Sequence, residues 1–328
     1  MTQKHWSHKP NSFAEVVELI QQHVRNEILR EAQGKQLYYH NLDHALAVKR
    51  RAISIFQAIK PALEQNYSAV ELSRMEGLIS LCGLAHDMVQ VFEPTPPQQS
   101  RTRKSGLSEK LSADRLLKYI QELNQAFSTE SIASSLLISD REQQILYDGI
   151  MATVCIRDPE AGRSEYIFSD RSIYQPYLYD TQSKISIVGT IIALADLGTL
   201  GMDGAEAYIQ DGISIFFEDN PHLDDLVMNC DLTDNSEDNW LRIKLLAMNS
   251  FIVDLAKERQ ARFELEIAGF STQARWILQN QVFIYLNPHS IERIQSMVPL
   301  QSDTSLAELI SFFHANHNSQ IQSSILPS

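Results

Sequence analysis

Apolar residues recur at three- and four-residue spacing along most of this chain, broken at intervals by clusters of glycine, proline, asparagine and serine. That period belongs to helices. No stretch keeps the two-residue alternation of a strand convincingly, Glu165 to Phe168 being a short extended candidate. Val16, Val17, Leu19, Ile20, Val24, Ile28 and Leu29 predict a first helix over 13–32, capped by Ser12 and closed by Gly34. A second is expected from Tyr39–Asn41 to Ile59, stopped by Pro61, and a third over 68–88. Prolines, then cations, then Gly106 make 93–106 a loop. Helices follow over 108–125, 140–155, 183–200 and 203–218, with 156–182 irregular and tyrosine-rich. Residues 183–200 are apolar almost all round, which marks a central, buried helix. An acidic surface loop is expected over 220–239, then helices over 239–266, 272–280, 290–297 and 305–315 before a polar tail. The pattern predicts an all-α fold. A helical core would span 1–219, and an acidic loop with a C-terminal helical extension, 220–328, would pack on it.

Composition is that of an ordinary globular protein, with 44% hydrophobic and 21% charged residues, and 328 residues suffice for a sizeable core. The formal net charge of −13 argues against a nucleic-acid polymer or an anionic membrane as partner. A small phosphorylated ligand stays compatible, because a metal or a local cationic patch outweighs the global field. Cys82, Cys155 and Cys230 are far apart, without CxxC spacing, and read as buried thiols in a reducing compartment. The polar start, Met1 to Phe13, lacks a signal peptide's apolar run, and the most apolar stretch, 185–195, is too short to span a bilayer. A cytoplasmic location is expected.

The candidate chemistry lies in three segments: Tyr39-His40-Asn41-Leu42-Asp43-His44-Ala45, Leu84-Ala85-His86-Asp87, and Ala193-Leu194-Ala195-Asp196-Leu197-Gly198. On a helix His40 and His44 would share a face. His86 and Asp87 fall at a helix end, where both side chains can turn to one point. A bare carboxylate at Asp196, inside an apolar helix, is costly unless a cation compensates it. Each piece alone is ordinary. Three together, on apolar helices, point to one divalent ion, and imidazole with carboxylate suits Mn, Fe, Co, Ni, Zn or Mg alike.

The ordered set H…HD…D resembles the HD superfamily of metal-dependent phosphohydrolases. The YHNxxHA version is similar to the signature of class I cyclic-nucleotide phosphodiesterases and of a group of bacterial predicted HD phosphohydrolases. Glu109 to Ala113 and Ala195 to Gly201 resemble further segments of that bacterial group, so the likeness covers roughly residues 36–219. The resemblance implies an HD-domain helical bundle, with His44, His86, Asp87 and Asp196 as metal ligands. It implies His40 as proton donor to the leaving oxygen, Asp87 as a catalytic ligand able to bridge to a second ion, and Asn41 and Asp43 as groups orienting the histidines. Between Met88 and Ala195 there is no histidine, which disfavours the HD-type oxygenases and the binuclear cyclic-di-GMP enzymes. Some bacterial relatives carry histidine after the Ala-Thr of the intervening helix; here Ala152-Thr153 is followed by Val154-Cys155-Ile156-Arg157, so that role is absent or taken by Arg157.

The expected reaction is hydrolysis of a phosphate ester, from a nucleotide or other small phosphorylated molecule, by a metal-activated water with His40 as general acid. Arg101, Arg103, Lys104, Lys110 and Arg157 are the candidate phosphate contacts, Lys110 because it opens a helix. Tyr38, Tyr39, Phe92, Tyr166, Tyr174, Tyr177 and Tyr179 can stack or simply pack. Gln273 and Gln281 are the glutamines available for a purine clamp. The alternative is a non-catalytic HD module binding a nucleotide or a protein partner. A homodimer is the default assembly.

Overall fold

The computed structural model describes residues 9–96, 98–157, 173–179, 185–228 and 237–323. Among these the fold is an all-α helical bundle. Its first part comprises α1 (Phe13–Lys35), α2 (Leu42–Leu63), α3 (Ala69–Ala85), α4 (Leu107–Thr129), α5 (Asp140–Met151) and α6 (Ile187–Asp196). Then come α7 (Thr199–Asp203), α8 (Ala205–Asp219), α9 (Pro221–Met228), α10 (Glu237–Glu266), α11 (Thr272–Ile277), α12 (Pro288–Met297) and α13 (Leu306–Ser323). One short antiparallel ladder pairs β1 (Ile156–Arg157) with β2 (Ile173–Tyr174), inside the stretch expected to be irregular. Glu165 to Phe168, with Tyr166, lies outside the described residues, as does Cys230. Cys82 and Cys155 are free thiols.

Local signals start the helices much as their sequence dictates. Ser12 accepts the Glu15 N–H, and complete capping boxes open α3 (Ser68, Glu71) and α5 (Ser139, Glu142). The ends depart more. Gln36, not Gly34, takes the left-handed conformation, at φ 48°, because Arg101 donates to the Lys35 carbonyl at 2.9 Å and prolongs α1. Pro61 lies inside the last turn of α2 instead of stopping it. Burial of Ala62 and Leu63 there offsets the one backbone donor that proline lacks. The loop expected over 220–239 is mostly helical where it is described: residues 221–228 are α9, since Leu223 and Val227 are buried, and 237–239 open α10, while 229–236 lie outside the described residues.

Apolar side chains form two clusters. The first joins α1–α6 and takes in Phe263, Ile267, Phe270, Ala274 and Phe283 from beyond the middle of the chain. The second joins α8, α9, most of α10, α12 and α13. The core therefore divides near Leu200 rather than at residue 219, and α8 belongs with the C-terminal helices. Within the first cluster α2 packs on α3 and α6. Gly83 makes this close approach possible, because a Cβ there would stand 2.9 Å from the Lys49 backbone. That contact brings the end of α3 against the first turn of α2. No helix among the described residues is long and apolar enough to cross a membrane.

Candidate metal centre

His44 lies in the first turn of α2, where Asn41 as N-cap accepts the N–H groups of Asp43 and His44 at 3.0 and 3.1 Å. His40 precedes that cap. The two histidines thus do not share a helix face; their rings nevertheless come within 5.8 Å, both turned to one side by the bend over 38–41. His86 caps α3 and Asp87 follows it, while Asp196 is the last residue of α6.

One donor atom from each of His44, His86, Asp87 and Asp196 lies within 4.8 Å of all the others. The His44 and His86 Nε2 atoms are 3.2 Å apart. His86 Nε2 is 3.0 Å from Asp87 Oδ2 and 3.4 Å from Asp196 Oδ1, and His44 Nε2 is 3.5 and 3.7 Å from the same oxygens. Ligands about 2.1 Å from a shared ion stand roughly 3.0–3.4 Å apart across octahedral or tetrahedral edges, so the donor set is already spaced to hold one. The chemistry agrees. His86 donates Nδ1–H to the Gly83 carbonyl at 3.0 Å, which leaves its Nε2 lone pair pointing inward. Burial lowers the His44 pKa to about 4, which keeps that imidazole neutral. Burial also opposes a charge on His86, but Asp87 and Asp196 outweigh it and hold its pKa well above the usual value. Two half-buried carboxylates side by side call for a positive charge between them, and either a protonated His86 or a divalent ion meets that need.

Each carboxylate is oriented from behind by a glutamine. Gln90 donates to Asp87 Oδ1 at 3.1 Å and Gln175 to Asp196 Oδ2 at 3.0 Å, so the opposite oxygens face the histidines. Glu218, on α8 and fully buried, accepts the backbone N–H groups of Tyr39 and His40 at 2.8 and 2.9 Å, and it pairs with His40 Nδ1 and with Arg103. His40 Nε2 then stands 3.7 Å from Asp87 Oδ2. Gln90, three residues past Asp87, had a local signal in that spacing. Gln175 and Glu218 had none.

The cluster opens on a cleft of about 860 Å³ lined by His40, Asp87 and Asp196 and, further out, by Arg101, Arg103, Lys104, Arg157 and Lys244. Four of the five expected cations thus border it, and Lys244 joins them from α10. Arg101 is committed to the backbone of Lys35 and Glu218, and Arg103 bridges Glu218 and Asp219. Lys110 does not border the cleft. It is exposed and pairs with Asp114 one turn on, and the same helical turn presents Glu109 to the cleft instead. Asn41 acts on His44 through the helix cap. Asp43 is exposed, and its part in the cap is its backbone N–H. Tyr39 lies against the His44 ring at 4.1 Å and lines the cleft; Phe92 sits under Arg101 and Arg103; Tyr174 and Tyr179 flank Arg262.

The fold and site together define an all-α protein with a cluster of two buried histidines and two half-buried aspartates that could hold a metal ion. No protein-family model matches the chain, and no curated protein or solved structure matches it at a significant level.

Proposed function

We propose that this chain is a metal-dependent phosphohydrolase of the HD type, acting on a nucleotide or another small phosphate ester. One observation carries it: His44, His86, Asp87 and Asp196, from helices far apart in sequence, converge beside a cleft bordered by cations. An ion held there would supply Lewis-acid polarisation of a phosphoryl oxygen and acidify a water. The remaining work falls to the chain's own side chains.

His40 reaches the cleft with Nδ1 held by Glu218, so Nε2 is the atom that can pass a proton to a leaving oxygen. Burial tends to lower its pKa, yet the Glu218 and Asp87 carboxylates prevail and the net displacement is upward, which favours the protonated form a general acid needs. Arg103, Lys104 and Arg157 offset the charge of a phosphoryl group, and the depth of the cleft leaves room for an organic body beyond it. The same proposal places the protein in the cytoplasm as a homodimer, which fractionation and sedimentation check.

The deciding experiment pairs elemental analysis with a hydrolysis panel. Purified protein is expected to carry about one divalent ion per chain and to hydrolyse bis-p-nitrophenyl phosphate, p-nitrophenyl phosphate or a nucleotide. Absence of turnover across that panel with Mn, Co, Ni, Mg and Zn would overturn the proposal, and nucleotide binding without turnover would favour a binding module.

A further inference from the structure

A second cavity, of about 410 Å³, lies between α2 and the α7–α8 pair; Tyr39 lines both it and the cleft beside the candidate metal centre, and His44 and His317 also line it. Arg51 also lines it and is only 1% exposed. Its Nε donates to the Ala195 carbonyl at 2.7 Å and its Nη1 to Asp203 at 2.9 Å, but Nη2 has no hydrogen-bond partner among the described residues. A buried guanidinium N–H at a cavity wall without an acceptor is costly, and an oxygen inside the cavity would relieve it.

The surrounding charges say what kind of oxygen. Asp203 is shared between Arg50 and Arg51, and half-buried Asp211 accepts from the Thr199 hydroxyl at 2.8 Å within the field of Arg51. Two arginines are thus matched by two aspartates, and Asp43 stands exposed at the rim. An anion would meet Asp211 and Asp43, whereas a cation would meet Arg51. Either leaves a charge uncompensated in a confined space. A neutral group carrying several hydroxyls meets both demands, since each hydroxyl accepts from the guanidinium or donates to a carboxylate. The Tyr39 ring offers an apolar face for C–H groups, and the volume falls in the range of small-ligand sites.

We propose that this cavity, which shares His44 with the candidate metal centre, binds a small neutral polyhydroxyl ligand, a monosaccharide or cyclic polyol. The test is calorimetric titration of the full chain with ribose, glucose and myo-inositol, and with phosphate, glycine and spermidine as charged comparators. At least one polyhydroxyl probe is expected to bind saturably with unchanged metal content. Ala207→Phe, which fills the cavity, and Arg51→Lys should each weaken it about tenfold or more. Ala47→Leu fills the cavity from α2 and gives the same result if Ala207→Phe fails to fold. No saturable binding by any of the three, a preference for a charged comparator, or full binding in the filled variants would overturn the proposal and leave ordered water as the occupant. Because binding is read without turnover, failure here is distinct from failure of the phosphohydrolase proposal.

Discussion

The two apolar clusters contribute to the cleft in different ways: helices of the first carry all four candidate ligands, each at a helix terminus or just beyond it, whereas the second, through α8 and α10, brings Phe216, Met248, Phe251 and the cation Lys244 to its wall and Glu218 behind His40. The ligand positions depend on α2, α3 and α6 packing directly on one another. His40 and Arg103 depend instead on α8 docking, since Glu218 is their shared partner. The cluster that could hold a metal is thus a property of one core, and the orientation of His40, the proposed proton donor, is a property of the junction between two. Damage to each should look different.

The largest effect is expected at the first core. Asp87→Ala removes the oxygen that faces both histidines, and metal content should drop to a small fraction of about one ion per chain with hydrolysis down by roughly a thousandfold or more. Circular dichroism should be unchanged. Glu218→Gln strikes the junction and should lower kcat by about a hundredfold while metal content, measured on the same sample, stays intact. Loss of metal in that variant would erase the proposed division of labour.

The acid limb of stability sharpens the same contrast. Burial alone would raise the Glu218 pKa, but His40 and then Arg103 more than offset it and bring it from 4.5 down to about 2. A carboxyl depressed in the folded state contributes stability that is complete above pH 4.5 and disappears as pH falls from 4.5 toward 2. Glu218→Gln should therefore flatten chemical-denaturation stability across that window relative to wild type. Smaller again, Arg103→Met should raise KM by about tenfold through lost charge on the phosphate side. Lys110→Ala, on an exposed pair outside the cleft, should change KM less than about twofold and leave the denaturation midpoint unmoved.

The helix starts at Ser12, Ser68 and Ser139 were readable because each cap is closed by a residue three positions away. The four residues of the His/Asp cluster were readable as candidate ligands because each lies in a motif whose residue types are unusual for its apolar surroundings. Glu218 was not. It lies in Phe216-Phe217-Glu218-Asp219-Asn220, next to a stretch that resembles an acidic surface loop, and its partners are more than a hundred residues away. Gln175 was hidden in the same way, bonded to Asp196 across a stretch with no periodicity to place it.

By itself, then, the sequence determined the helical class, most helix starts and the set of ligand types, because these rest on spacing and on neighbours within one turn. Tertiary structure alone decided that His40 meets the cleft from outside its helix, that Lys110 faces away, that α9 is helical and that the core divides near Leu200. Those outcomes depend on which surfaces are buried against which. A carboxylate such as Glu218 acquires its role only when docking of α8 strips its water and supplies His40, Arg103 and two backbone N–H groups in exchange.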